Sequence, residues 1–117
     1  MGNGAYLVSS NYLYYFIMQT DGNLILYSNG ALNTKGRDVP LWASNTPGKG
    51  TGPYSLRVQM DGNIIAADVN NNLVWSSGTY NKGFGPYVLN MQDDGNVVLT
   101  DSRNSIIFQT NTSGKLF

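Results

Sequence analysis

The chain contains no cysteine, no histidine and no glutamate. Without cysteine, neither a disulfide framework nor a thiolate site is available. Without histidine, the commonest general base and the commonest metal ligand are missing. Helix-favouring alanine occurs only five times, whereas glycine occurs 14 times and tyrosine eight times. This composition disfavours helices and favours strands that are joined by tight turns.

The charge balance and the lack of long apolar runs exclude further classes. Seven basic and seven acidic residues cancel, and no large basic patch is apparent, so we expect no nucleic acid partner. No apolar run approaches the ~20 residues of a membrane-spanning helix, so we expect no membrane insertion. Residues 1–4 lack the basic and apolar segments of a secretory signal. We therefore expect a protein that is cytoplasmic or released without a conventional signal peptide, or secreted if the sequence is a mature form.

A polar motif, Gln-x-Asp-Gly-Asn, occurs three times within a hydrophobic frame. Its copies span residues 19–23, 59–63 and 92–96. The second copy precedes the third by 33 residues, and the same distance separates Trp42 from Trp75. The first copy precedes the second by 40 residues, and we place the seven extra residues within 28–39. A fixed period with one loop insertion indicates stacked or ring-like repeats.

Each motif predicts the turn of a β-hairpin. In the first copy, residues 20–22 form a three-residue loop with Gly22 in the left-handed conformation, so Gln19 pairs with Asn23. Strand alternation then places one apolar set of each repeat on the core face. These sets are Tyr14, Phe16, Met18, Leu24 and Leu26; Tyr54, Leu56, Val58, Ile64 and Ala66; and Tyr87, Leu89, Met91, Val97 and Leu99. A slip of one residue would bury Gln and Asn, so the register is well determined.

A third strand in each repeat carries one large aromatic residue, Trp42, Trp75 or Phe108. We predict that the three rings lie in the core and meet at a shared centre. The predicted fold is all-β, with three small antiparallel sheets around a pseudo-threefold axis. Because the third repeat stops at Phe117 as the next sheet would begin, we expect the N-terminal segment or a neighbouring chain to close the ring.

The solvent face of the first hairpin has the chemistry of a carbohydrate site. Gln19, Asp21 and Asn23 offer acceptors and amide donors within roughly 7 Å of one another. Ile25 provides an apolar floor for sugar C–H groups, and Tyr27 adds a hydroxyl. One carboxylate per repeat is too few for calcium, so we expect neither a metal nor another cofactor. A lone Asp-Gly-Asn would be assigned to a turn, but three copies that all retain the Gln favour a binding site.

The pattern Gln-x-Asp-x-Asn-x-Val-x-Tyr resembles the mannose-site signature of the monocot bulb-type lectins, the group related to snowdrop agglutinin. The resemblance covers one bulb-type lectin domain, 1–117, with repeats at about 1–45, 46–78 and 79–117. It implies a β-prism of the second type with up to three mannose sites. In that family the Gln, Asp and Asn bind O2 and O3 of the sugar, the Tyr binds O4, and the Val packs on the ring.

The three copies match this signature to different degrees. The matching residues are Gln19, Asp21, Asn23, Ile25 and Tyr27 in the first copy, Gln59, Asp61, Asn63 and Ile65 in the second, and Gln92, Asp94, Asn96 and Val98 in the third. Ala67 and Thr100 stand where the tyrosine belongs, so sites 2 and 3 are degraded. We expect site 1 to be strongest, followed by site 3, because Thr100 keeps a hydroxyl. The missing disulfide of the plant members makes the chain look like a non-plant, often cytoplasmic member.

Three function classes follow from these residues. The leading reading is a non-catalytic lectin for terminal mannose or high-mannose glycans, which we expect to act as a homodimer for avidity. The alternative is an interaction or adaptor protein on the same scaffold with reduced or lost sugar binding. An enzyme is disfavoured, because the adjacent carboxylates Asp93 and Asp94 point apart and no partner base exists.

Overall fold

The computed structural model describes residues 6–114, and these residues form strands and turns without any helix. The strands are β1 Tyr6–Val8, β2 Tyr14–Met18, β3 Leu24–Ser28, β4 Val39–Ala43, β5 Ser55–Val58, β6 Ile64–Ala67, β7 Leu73–Ser76, β8 Val88–Met91, β9 Val97–Thr100 and β10 Ile106–Gln109. They make three antiparallel sheets, β1-β2-β3-β4, β5-β6-β7 and β8-β9-β10. The predicted all-β fold with three sheets is confirmed, but the sequence did not predict β1, the fourth strand of the first sheet.

The hairpins have the register that the motif predicts. In the first hairpin the Gln19 backbone N–H donates to the Asn23 carbonyl at 2.9 Å, and Met18 lies opposite Leu24. Gly22 has a φ of +90°, which an L side chain rarely adopts. The two other hairpins repeat this geometry, with a φ of +91° at Gly62 and +93° at Gly95.

The predicted apolar face forms the core with three departures. In the first sheet all five predicted residues are at most 2% exposed. Val58 is instead 38% exposed and lines a surface cavity together with Leu7 of β1 and Leu89 of β8. Tyr87 and Leu89 are only half-buried, although both pack against the core. The prediction is therefore wrong for Val58 and holds in part for Tyr87 and Leu89.

Trp42, Trp75 and Phe108 meet at a common centre, as predicted, but all three are half-buried and pack against the core, so their predicted place in the core holds in part. The ring centroids lie 5.5 Å apart for Trp42 and Trp75, 5.8 Å for Trp75 and Phe108, and 6.3 Å for Trp42 and Phe108. The interplanar angles of 73–81° make all three contacts edge-to-face. Each such pair contributes about 0.5–1.5 kcal/mol beyond the burial of its surface, so the centre stabilises the association of the three sheets.

Each turn glycine lies against a tyrosine ring of another repeat. A Cβ added at Gly22 would lie 2.8 Å from the Tyr54 ring, and one added at Gly95 would lie 3.0 Å from the Tyr14 ring. The corresponding distance from Gly62 to the Tyr87 ring is 2.9 Å. The pairs join the first hairpin to the second repeat, the second to the third, and the third back to the first. These contacts therefore link the three sheets into a ring.

The N-terminal segment closes this ring within the chain. The Ser10 hydroxyl donates to both carboxylate oxygens of Asp93, at 2.7 and 2.8 Å. The Asn11 backbone N–H donates to Asp93 Oδ1, and its side-chain amide donates to the Asp93 carbonyl, both at 3.0 Å. The Ser10 and Asn11 donors hold the pKa of Asp93 below its usual value. The N-terminal segment, one of the two predicted means of closure, therefore makes this contact. Phe117, on which that prediction also rests, and residues 1–4, on which the localisation expectation rests, lie outside the described residues.

The insertion of the first repeat lies where the sequence places it. Loop 29–38 joins β3 to β4, whereas the equivalent connections are 68–72 and 101–105. The Asn33 side chain holds the loop together, because its amide donates to Ser28 Oγ at 3.0 Å and to the Arg37 carbonyl at 2.9 Å. This loop reaches the outer face of the first sheet, where the candidate site lies.

The contact between Gly95 and Tyr14 should carry much of the stability of the closed ring. We expect Gly95→Ala to destabilise the protein more than Gly78→Ala, a control at φ +70° with nothing within 4 Å of an added Cβ. Both substitutions place an alanine at positive φ, which costs about 1–2 kcal/mol. Only Gly95→Ala must also displace Tyr14, which adds about 1–3 kcal/mol. Chemical denaturation of both variants is the measurement, and equal losses would contradict the role of this contact.

Candidate functional site

The Asn23 side chain is fixed by hydrogen bonds inside the first repeat. Its Oδ1 accepts from the Ser44 hydroxyl and from the Thr46 backbone N–H, both at 3.1 Å. Asp21 Oδ1 accepts the backbone N–H of Asn23 at 2.9 Å, which holds the turn. Because the oxygen of the amide is bonded to the end of β4, its Nδ2 faces away from those partners and has no hydrogen bond to any of residues 6–114 in the structure. The first repeat thus presents an oriented amide donor.

Gln19 and Tyr27 complete the predicted set on the same face. Gln19 Nε2 donates to the Tyr27 hydroxyl oxygen at 2.8 Å, which leaves the tyrosine hydrogen available for an acceptor. Ile25 lies between them on β3 and is 8% exposed. A surface cavity of about 350 Å³ is lined by Gln19 and Asp21 together with Ile17 and Thr20. All five residues predicted for site 1 therefore share one hairpin face, with Asp21 exposed at its tip.

Two residues that the sequence reasoning missed support Tyr27. The Tyr15 ring stacks on the Tyr27 ring with centroids 5.2 Å apart and an interplanar angle of 28°. The Tyr15 hydroxyl donates to Asp38, and Asp38 Oδ1 accepts the Gly30 backbone N–H at 2.7 Å. Burial, reinforced by the Asp38 carboxylate, raises the pKa of Tyr15 far above its usual value. The only sequence signal for this support was the insertion itself, which supplies Asp38.

The second copy keeps the turn but presents fewer polar groups on its outer face. Asn63 Oδ1 accepts from the hydroxyls of Ser76 and Ser77 and from the Thr79 backbone N–H, all at 3.1 Å. Asp61 Oδ1 accepts the Asn63 backbone N–H at 3.0 Å, as in the first copy. Gln59 and Ile65 are half-buried on the outer face. Ala67, in the place of the tyrosine, is 1% exposed, so this copy lacks the terminal hydroxyl.

In the third copy, hydrogen bonds to neighbouring side chains occupy two of the predicted binding residues. Asn96 Nδ2, the donor that is free in the first copy, donates to Gln109 Oε1 at 2.9 Å. Asp94 Oδ2 accepts from the Ser113 hydroxyl at 2.9 Å, and Asn96 itself is only 5% exposed. Gln92 is half-buried and Val98 is 2% exposed. These bonds occupy two of the four predicted binding residues, so the geometry does not support placing site 3 above site 2.

The residue that follows the central aromatic residue differs between the three copies. It is Ala43 in the first copy, Ser76 in the second and Gln109 in the third. Ala43 has no polar group, Ser76 donates to the Asn63 oxygen, and Gln109 occupies the Asn96 amide. An alignment of the three repeats displays this variation, but only the structure places the position beside the Asn side chain.

Residues 6–114 contain neither a cluster of candidate metal ligands nor a membrane-spanning helix. Over that range, no group of three or more acidic, His or Cys residues is arranged to hold a metal ion. The same range contains no helix long and apolar enough to cross a membrane. The candidate site consists of neutral amides, one hydroxyl and one carboxylate, which suits a neutral ligand with several hydroxyl groups.

Comparison with known proteins identifies several relatives, although no family model matches the chain. A mannose-binding lectin of Gastrodia elata, described as monomeric, is 36% identical, with a TM-score of 0.80 over 98% of this chain and 91% of its own. The snowdrop (Galanthus nivalis) agglutinin, solved with methyl-α-D-mannoside, is 35% identical, with a TM-score of 0.66 over 87% of this chain and 88% of its own. The mannose-specific lectins of Narcissus pseudonarcissus and Narcissus tazetta are each 40% identical over 63 residues, or 54% of this chain. The chain spans only 50% and 39% of their respective lengths.

The bond from Asn96 to Gln109 should be visible in the exchange of the Asn96 side-chain amide. We expect Gln109→Ala to speed hydrogen exchange of this amide, because its acceptor is removed. Ser76→Ala is the matched control: it alters the same position of the second repeat but removes a donor to the Asn63 oxygen. Side-chain amide signals in ¹⁵N NMR spectra provide the measurement. Unchanged Asn96 exchange in Gln109→Ala would contradict the closure of the third copy.

Proposed function

The chain belongs to the bulb-type mannose-binding lectin family, and we propose that it is a non-catalytic lectin that binds terminal mannose or high-mannose glycans. The observation that carries this proposal is the first copy of the motif, where Asn23 offers an oriented amide donor beside the bonded pair of Gln19 and Tyr27. Vicinal sugar hydroxyls both donate and accept, so an interleaved set of amide, carboxylate and hydroxyl groups suits them. The mannoside bound to the snowdrop agglutinin supports the same ligand class.

The carboxylates of the chain support binding and not catalysis. Glycoside hydrolysis requires two carboxyl groups that face each other, roughly 5–10 Å apart. Asp93 is engaged by Ser10 and Asn11, whereas the adjacent Asp94 bonds to Asn96 and Ser113. The side chains of Asp93 and Asp94 thus bond to different partners. We therefore propose that sugar is bound and released unchanged.

Mannose binding should be weak and should depend on the first copy. We expect methyl-α-D-mannoside to bind with millimolar affinity, worth ~4 kcal/mol. Asn23→Asp should abolish most of this binding, because it replaces the free donor with an acceptor. Asn96→Asp is the control, since the Asn96 donor is already occupied. NMR titration of the three proteins is the measurement.

Two outcomes of this titration would count against the proposal. If the wild-type protein responded neither to mannose nor to high-mannose chains on a glycan array, the proposed lectin function would be wrong. The interaction or adaptor function would then replace it. Equal losses in Asn23→Asp and Asn96→Asp would show that the first copy is not the principal site.

We further propose that the protein acts as a homodimer when it holds a glycosylated surface. One millimolar site is too weak for that task, whereas two linked sites gain from effective concentration. Because the N-terminal segment already closes the ring, such a dimer joins intact protomers and needs no exchange of strands. Light scattering and haemagglutination on one preparation are the test. A strict monomer that agglutinates cells would contradict both the dimer and the dominance of the first site.

A further inference from the structure

Two exposed tyrosines and one half-buried tyrosine form an aromatic surface on the outer face of the first sheet. Tyr6, Tyr12 and Tyr15, which we call the tyrosine shelf, line a surface cavity of about 310 Å³ together with Val8, Ile17 and Asn29. Tyr6 is 58% exposed and Tyr12 is 64% exposed. The Tyr6 and Tyr15 rings meet edge to face with centroids 6.3 Å apart. The cavity is therefore lined by two aromatic rings that stand at an angle to each other.

Tyr12 occupies a backbone conformation that is unusual for its residue type. Its φ is +63°, and the five other non-glycine residues with positive φ within 6–114 are all asparagines. Asparagine tolerates the left-handed region, whereas a bulky aromatic residue there is an outlier. Outliers of this kind cluster at ligand sites. Neither the fold nor the proposed mannose site requires a tyrosine at this turn, so its ring calls for another role.

The tyrosine shelf is continuous with the first mannose site. Ile17 lines both the shelf cavity and the cavity that contains Gln19 and Asp21. Tyr15 lines the shelf and also stacks on Tyr27. Tyr15 and Gln19 lie four residues apart on and just beyond β2, roughly 13 Å along the strand. One pyranose ring cannot contact both ends of this surface, whereas an oligosaccharide of two or three residues can.

We propose that the tyrosine shelf is a second sugar subsite, which binds the residues that follow the terminal mannose of an oligosaccharide. The inference rests on the proposed mannose site, which would hold the terminal residue. Exposed aromatic rings accommodate the C–H patches of a pyranose, and their hydroxyls accept or donate at its rim. None of the described residues that line the cavity has a charged side chain, which favours a neutral ligand over an ionic one.

The subsite occurs only beside the complete copy of the motif. The residues equivalent to Tyr15 are Ser55 in the second repeat and Val88 in the third, so neither has a ring at this position. Site 1 is also the only copy with the motif tyrosine, Tyr27. Both features that distinguish the first repeat thus lie on one continuous face.

The experiment compares methyl-α-D-mannoside with a linear α-linked mannotriose by calorimetry. The test variant is Tyr12→Asn, which removes the ring but suits the positive φ of this position. The control is Tyr80→Asn, because Tyr80 is 61% exposed but lies between β7 and β8 and does not line the shelf cavity. We expect Tyr12→Asn to leave the mannoside affinity unchanged and to lower the mannotriose affinity about fivefold to tenfold, as one aromatic contact implies. Mannotriose offers more than one mannose residue to site 1, which raises its apparent affinity. This gain is the same for the wild type and for both variants, so it does not affect the comparison.

The outcomes separate the subsite from the lectin function. A wild-type protein that binds neither ligand overturns the mannose site and the subsite together. A wild-type protein that binds both ligands, with the same preference for mannotriose in Tyr12→Asn, overturns the subsite alone. A Tyr12→Asn protein with unchanged preference but a lower mass in light scattering would show that the shelf is a contact between protomers. Loss of preference in Tyr80→Asn as well would also overturn the assignment.

Discussion

A tyrosine ring on the turn glycine of another repeat ties each sheet to its neighbour. Because a Cβ at that glycine would overlap the ring, packing between sheets determines the central residue of Asp-Gly-Asn. The flanking residues are fixed at the same turn. In every repeat the Asp carboxylate accepts the Asn backbone N–H, and the Asn side-chain oxygen accepts from the end of the third strand. The polar motif therefore has a structural role in all three repeats.

This structural role changes what the repetition of the motif says about function. Three copies favour binding sites at the level of sequence, yet bonds within the turn explain Asp, Gly and Asn without a ligand. The residues that differ between repeats are more informative. Tyr27 is present only in the first copy, and the position after the central aromatic is Ala43 in one copy and Gln109 in another. The proposed function therefore depends on positions where the repeats diverge.

Periodic features of the fold could be predicted from the sequence, and single contacts could not. The hairpin register follows from alternation and from Gly22, and the aromatic centre follows from the spacing of Trp42 and Trp75. Within residues 6–114, strand β1 has no counterpart in the other repeats, so a repeat-based argument does not find it. The bond between Asn96 and Gln109 and the support of Tyr27 by Tyr15 depend on cross-strand neighbours. Such neighbours become evident only when the strands are paired in space.

The hydrogen bonds to the Asn23 oxygen fix the orientation in which the side-chain amide faces a ligand. A free asparagine samples several rotamers and loses that freedom when it binds. Here Ser44 and Thr46 fix the amide during folding, so its donor is preorganised before any sugar arrives. In the proposed mannose site, this fixed donor adds selectivity to a hairpin face that carries only a few polar groups. At the proposed site, a sugar with one inverted hydroxyl would meet a donor that cannot turn to follow it.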